Sequence, residues 1–135
     1  MGKLLIIDDD ILMVTTITDR IEAEIPKLKF QNVNTGSDGL KALGQKDVNI
    51  IVLDMMLPLG DDISLPIDRQ DLMYGIYILE IIKQRRPELF VICYTVVEDQ
   101  QLIKQIAKIP NTLYLCKLAE NSFNEMFKAL ERFTN

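Results

Sequence analysis

Apolar and polar positions along this chain follow two rhythms, and the rhythms predict its elements. Leu4 to Ile7 is a short unbroken apolar run; after Asp8-Asp9-Asp10, the residues Val14, Ile17, Ile21 and Ile25 recur at spacings of three and four. That predicts a strand, an acidic turn and a helix stopped by Pro26. Leu28 to Val33 alternates weakly as a second strand, and Thr35-Gly36-Ser37-Asp38-Gly39 opens a short helix through Leu43 that ends near Gly44. Asn49 to Leu53 is a β-favouring apolar run of the kind a strand covered on both faces requires, and it stops abruptly at Asp54. Tyr74 to Arg86 predicts a third helix: it is apolar at Ile78, Leu79, Ile81 and Ile82, basic in its last turn and followed by Pro87. Leu89 to Tyr94 reads as a fourth strand, Glu98 to Lys108 as a fourth helix ending before Pro110, and Thr112 to Cys116 as a fifth strand. A capping box, Ser122-Phe123-Asn124-Glu125, predicts the start of a last helix striped by Phe123, Met126, Phe127, Leu130 and Phe133.

Five β-then-α units without an internal repeat predict an α/β fold, a parallel sheet with helices on both faces. Right-handed crossovers leave few topologies, and the expected one is the flavodoxin-like doubly wound five-stranded sheet of order 2-1-3-4-5. In that order the ends of strands one and three lie side by side, so Asp8, Asp9 and Asp54 meet. From Met55 to Asp71 the chain carries two prolines, Gly60 and acids at Asp61, Asp62, Asp68 and Asp71, far more than the about 2–6 residues of an ordinary βα loop. This is an insertion, at about residues 59–72, and its acids offer either a partner-binding element or an excursion beside the site. Its lack of an apolar stripe predicts that folding does not need it.

At 135 residues the chain is expected to form one domain, 1–135, and its 48% hydrophobic and 26% charged composition argues against disorder. A net charge of −5 without a Lys/Arg stripe gives no support to direct binding of nucleic acid or an anionic membrane. The opening apolar run is too short for a signal peptide or a membrane span, so the expected location is cytoplasmic. Cys93 and Cys116 lack CxxC spacing and lie in strand-like runs, as buried free thiols do. Their offsets from the strand ends predict opposite faces of the sheet. The absence of His removes histidine triads and argues against a zinc enzyme.

An acid at the carboxyl end of a central parallel strand stands where open α/β sheets bind ligands. Asp54 alone would equally be a cap on a loop or helix, and Asp8-Asp9-Asp10 alone an acidic helix start. Brought together, these carboxylates repel one another unless protonated or bridged by a cation. All-oxygen donors select a hard ion, Mg²⁺ first and Mn²⁺ or Ca²⁺ next. Thr95 and Lys117 stand at the ends of strands four and five. Each alone is a turn hydroxyl or a surface lysine; with the acids they supply what a carboxylate nucleophile needs to attack phosphorus.

The set Ile7-Asp8-Asp9-Asp10, Leu53-Asp54-Met55-Met56-Leu57-Pro58, Tyr94-Thr95 and Cys116-Lys117 resembles the receiver domain of two-component response regulators, over essentially the whole chain. The resemblance implies Asp54 as phosphoacceptor, with Asp9, Asp54 and the Met56 carbonyl holding Mg²⁺ and Asp8 acting largely through water. It implies phosphoryl contacts from Thr95 and Lys117, and a switch role for Tyr114, for which ordinary packing is the competing account. The implied partners are a sensor histidine kinase or phosphotransfer protein and a downstream protein target, with a second copy of the chain as a further candidate. Without His, the chain cannot itself be the phosphohistidine donor. Where the family usually has Ala or Gly after its Thr, this chain has Val96, read as narrowing access to Asp54; where the family commonly has Pro after a cis peptide, it has Leu118. Two rival readings follow: an interaction module that signals without phosphorylation, and an Asp-nucleophile phosphatase. The second is weakened because Met56 stands where such enzymes of the haloacid dehalogenase type carry a second acid.

Overall fold

The computed structural model describes residues 2–57, Gly60 and 74–134. Elements run β1 (Lys3–Ile7), α1 (Ile11–Glu24), β2 (Lys29–Val33), α2 (Gly36–Ala42), β3 (Val48–Leu53), α3 (Tyr74–Arg85), β4 (Phe90–Thr95), α4 (Gln100–Ala107), β5 (Thr112–Cys116) and α5 (Ser122–Thr134). The strands form one parallel sheet in the order β2-β1-β3-β4-β5, as their apolar patterning predicts. The insertion expected at about residues 59–72 lies, except for Gly60, outside the described residues.

Strand alternation divides the core in two. Leu5, Ile7, Ile51, Leu53, Val91 and Cys93 face α2, α3 and α4, where Leu40, Leu79, Ile82 and Ile106 meet them. Leu4, Ile6, Ile50, Val52, Ile92 and Tyr94 face α1 and α5, where Ile17, Ile21, Met126 and Phe127 meet them. The central strands β1 and β3 are buried on both sides, which is why their sequences are unbroken apolar runs. Each buried Leu, Ile or Val in these layers stabilises the fold by about 1.5–3 kcal/mol. The edge strand β2 keeps exposed positions and hence its weak pattern.

Three helices begin at the carboxyl edge of the sheet with a side-chain cap. Asp10 accepts from Met13 N–H, Thr35 from Asp38 N–H and Asp99 from Leu102 N–H. The last of these shortens a prediction: α4 does not start at Glu98, because Asp99 is still extended and caps the helix from outside. The capping box expected at Ser122 is also not formed in that role. Ser122 is the first helical residue, buried behind Asn121 at φ 72°. The helix opens one residue earlier than a Ser122 cap requires, with Glu125 N–H donating to the Asn121 carbonyl at 2.9 Å. At the opposite edge of the sheet, Lys83 donates to the carbonyls of Leu89, Pro110 and Asn111.

The expectation for the two cysteines is overturned. Thr95 pairs with Cys116 and Cys93 with Tyr114, so both thiols lie on the same face of the sheet. The prediction aligned Lys117 with Thr95, one residue out of register, and a one-residue slip reverses every side chain. Both cysteines are buried and free.

Candidate functional site

The carboxyl ends of β1 and β3 are fastened to each other by backbone. Asp54 N–H donates to the Ile7 carbonyl at 3.1 Å, and Asp8 N–H to the Val33 carbonyl at 3.1 Å. The two carboxylates that follow these strands are thereby drawn into one crevice, and Asp9 joins them: one oxygen from each of Asp8, Asp9 and Asp54 lies within 4.8 Å of the others. Asp8 is fully buried, Asp54 nearly so and Asp9 exposed. Asp10 takes a different part, capping α1 and donating its N–H to Asp8 Oδ1 at 2.9 Å. Met56 N–H donates to Asp54 Oδ1 at 3.1 Å, while its side chain is exposed.

β5 delivers the cation. Lys117 N–H donates to the Thr95 carbonyl, and its ammonium reaches Asp8 Oδ2 at 2.9 Å and Asp54 Oδ2 at 3.4 Å. Burial acts to lower the Lys117 pKa, but the two carboxylates together outweigh it and hold the ammonium above its ordinary value. Burial raises the Asp8 carboxyl, against the opposing pull of the Asp10 N–H and of Lys117. One ammonium is therefore shared between two acids while a third stands open to solvent, and this all-oxygen donor set suits a hard divalent ion.

Thr95 is buried as the last residue of β4, its hydroxyl accepting from Val97 N–H at 3.4 Å. Tyr114 is half-buried, and its hydroxyl donates to the Val97 carbonyl, so Thr95 and Tyr114 grip the same residue of the β4–α4 loop. Burial, with Cys116 beside it, pushes the Tyr114 phenol up to about 12. Val96 projects outward at the mouth of the site. Leu118 is exposed too, and the Lys117–Leu118 peptide is trans. Ile11 and Leu12, which open α1, and Met56 are exposed apolar side chains as well.

Sequence reasoning brought these groups together but missed two others. Asn32 on the edge strand β2, an exposed residue, donates its amide to the carbonyls of Ile6 and Asp8, steadying the acidic turn. Tyr94 places its ring under Lys117, with Nζ 5.8 Å from the ring centroid. Neither is announced by the local apolar pattern, because both act on residues distant in sequence.

The peptide that follows Asp54 is held from behind by α3. Gly75 N–H donates to the Met55 carbonyl at 2.9 Å, and a Cβ on Gly75 would lie 2.6 Å from the Asp54 carbonyl oxygen. Only glycine lets the helix approach this closely.

A doubly wound parallel sheet with its acids gathered where the strand order reverses defines an α/β protein that works from the carboxyl edge of the sheet. The family model of the response regulator receiver domain matches residues 4–131, and the chain belongs to that family, whose business is signalling in two-component systems. Among solved structures it is similar to a CheY-like receiver domain protein from Methanospirillum hungatei, at 17% identity and TM-score 0.73, covering 99% of this chain and 94% of that one. It is similar also to the receiver domain of the Francisella response regulator 1452, at 19% identity and TM-score 0.75, covering 99% and 97%. The Thermotoga maritima response regulator TrrA, solved with Mg²⁺ and a beryllium fluoride, matches at 16% identity and TM-score 0.70 over 98% of both chains. At these identities the likeness is one of fold. No curated protein matches the chain. Among the described residues no helix is long and apolar enough to cross a membrane.

Proposed function

We propose that this chain accepts a phosphoryl group on Asp54 from a phosphohistidine of a partner kinase or phosphotransfer protein, and changes its protein contacts as a result. The observation that carries the reading is the meeting of Asp8, Asp9, Asp54 and Lys117 at the ends of three strands, in a chain of the receiver family. One Asp54 carboxylate oxygen attacks phosphorus, the phosphorus–nitrogen bond breaks with its electron pair leaving on the imidazole, and an acyl phosphate remains on Asp54. Lys117, already between Asp8 and Asp54, shifts to the phosphoryl oxygens, and the Thr95 hydroxyl donates to another. Asp9, Asp54 and the Met56 carbonyl hold a divalent ion, Mg²⁺ first and Mn²⁺ second, with Asp8 acting through water. Bound there, Mg²⁺ neutralises charge on the phosphoryl oxygens.

Tyr114 and Thr95 both hold Val97, so a movement of Thr95 toward a phosphoryl group releases or tightens the β4–α4 loop, and Tyr114 follows. The exposed apolar side chains of Ile11, Leu12, Met56, Val96 and Leu118, which follow the carboxyl ends of β1, β3, β4 and β5, are surface that a docking phosphodonor protein would bury. The chain turns over only its own phosphoryl group, and its setting is the cytoplasm.

Incubation with Mg²⁺ and acetyl phosphate, followed by intact-mass analysis, is expected to show one added phosphoryl group, lost in Asp54→Asn. Mass unchanged in the parent would remove the reading. A second reading is favoured by the same Lys117 geometry: a site whose two buried acids already share an ammonium can stand as an interaction module without phosphorylation. Unmodified mass selects that module, whereas turnover of a generic phosphate ester would select a phosphatase.

A further inference from the structure

We propose that Asn32, an exposed residue of the edge strand β2, is a positioning residue for the cation site: its side-chain amide fixes the peptide between Asp8 and Asp9, and with it the place at which the Asp9 carboxylate meets a divalent ion. The proposal rests on the reading of Asp9 as a metal ligand and concerns how that ligand is placed. The two neighbouring acids are held very differently. Every polar group of Asp8 has a partner: its N–H donates to the Val33 carbonyl, its carbonyl accepts from Asn32, Oδ1 accepts from the Asp10 N–H and Oδ2 from Lys117. The Asp9 carboxylate is exposed and has no hydrogen-bond or ion-pair partner among the described residues, although one of its oxygens lies within 4.8 Å of oxygens of Asp8 and Asp54. With nothing at its far end, Asp9 stands where its backbone puts it.

Asn32 reaches that backbone from the side. It pairs with Ile6 across the β1–β2 ladder, and its Nδ2 lies 3.0 Å from the Ile6 carbonyl oxygen, 3.2 Å from that of Asp8 and 3.1 Å from that of Val33. Three carbonyl acceptors require the nitrogen of the amide, not its oxygen, to face the turn. The Asp8 carbonyl is one end of the Asp8–Asp9 peptide, and because a peptide is planar, holding that end sets the direction in which Asp9 leaves the strand. On the other side Asp10 caps α1, so Asp9 is the one residue between a fastened peptide and a fastened helix. The choice of residue points the same way. Asn is depleted in strands, and an exposed edge position suits Val or Thr better. A residue that goes against its own element while filling no core is expected where a site asks for it.

Asn32→Val tests this, because it removes the donors and suits the strand. Without metal, the variant is expected to keep the parental Tm or exceed it, while the amide order parameter of Asp9 falls. Unaltered order at Asp9 would overturn the proposal. In a calorimetric Mg²⁺ titration the variant is expected to bind about two- to tenfold more weakly, the range to which the net worth of one such bond converts. That loss is expected to vanish in an Asp9→Ala background, where there is no carboxylate left to place. An equal loss with and without Asp9, or full affinity with a lowered Tm, would make Asn32 a fastener of the edge strand and overturn its role in the site. With acetyl phosphate, uptake by Asn32→Val is expected to be slow at low Mg²⁺ and to regain the parental rate at saturating Mg²⁺; a deficit that persists at saturation would count against the proposal. A parent that binds no Mg²⁺ overturns the proposal together with the cation reading, whereas a parent that binds Mg²⁺ and takes up no phosphoryl group refutes the reading of Asp54 alone and leaves the titration decisive.

Discussion

Val96 carries two methyls on a stiff χ1 and projects into solvent directly after Thr95, at the mouth of the crevice. On the proposed reading, water attacking an acyl phosphate on Asp54 would pass this side chain, and each ~1.4 kcal/mol added to that approach would slow it about tenfold. Val96→Ala is therefore expected to lose its phosphoryl group faster in Mg²⁺ after the donor is removed; an equal or slower loss would leave Val96 without a kinetic role. Cys93 makes a prediction about pH. Burial pushes its thiol from 9.0 up to about 12, so an unfolded chain releases this proton near pH 9 while the folded chain keeps it. The unfolded state then binds fewer protons, and stability falls as pH rises through that window. The contribution is whole below pH 9 and gone above about 12. Cys93→Val is expected to make Tm decline less steeply across the same range, whereas an unchanged slope would assign the loss to Tyr114 and other groups. At this scale the acids, Thr95 and Lys117 were legible because each stands where an apolar run stops. Tyr94 and Asn32 were not, because their partners come from just beyond β5 and from the end of β1, and no local pattern announces them.

At the carboxyl edge, the cap that places α1 also touches the site. Asp10 both caps α1 and bonds Asp8, so Asp10→Ala is expected to cost about 0.5–2 kcal/mol of stability in urea denaturation and to weaken Mg²⁺ binding as well. Loss of stability with metal affinity intact would show that the cap does not orient Asp8. α3 is placed by contact with the chain beside Asp54: Gly75→Ala forces a side chain into the Met55 backbone, an overpacking that costs about 1–3 kcal/mol. A variant with parental stability would show that the helix can shift without strain. Element existence and order were legible because strands and helices differ in apolar period. The ends were less so: Asp99 and Ser122 both suit a cap, but Ser122 falls inside the helix, behind Asn121 in the left-handed conformation.

The whole molecule gathers three carboxylates against one ammonium, so it is charged to receive a cation. Mg²⁺ at a hundred times its Kd is expected to stabilise the fold by about 2.7 kcal/mol, read as a rise in Tm, and Asp9→Ala is expected to remove most of that rise. An unaltered rise would move the ion away from Asp9. The topology could be read from apolar runs and right-handed crossovers, but register could not. Alignment of β5 on β4 depends on packing across the sheet, and the misplaced Cys116 shows the cost of a single residue.

The bond from Gly75 to Met55 has a consequence for how this chain can change. It holds Gly75 against Met55, two residues before the buried Leu57, so the two ends of the intervening sequence are fixed side by side whatever its length. Closure entropy grows only with the logarithm of length, about 0.6 kcal/mol for each doubling. The closure cost of a change in the number of residues between Met55 and Gly75 is therefore small, which makes that interval the natural port at which to try a reporter peptide beside Asp54.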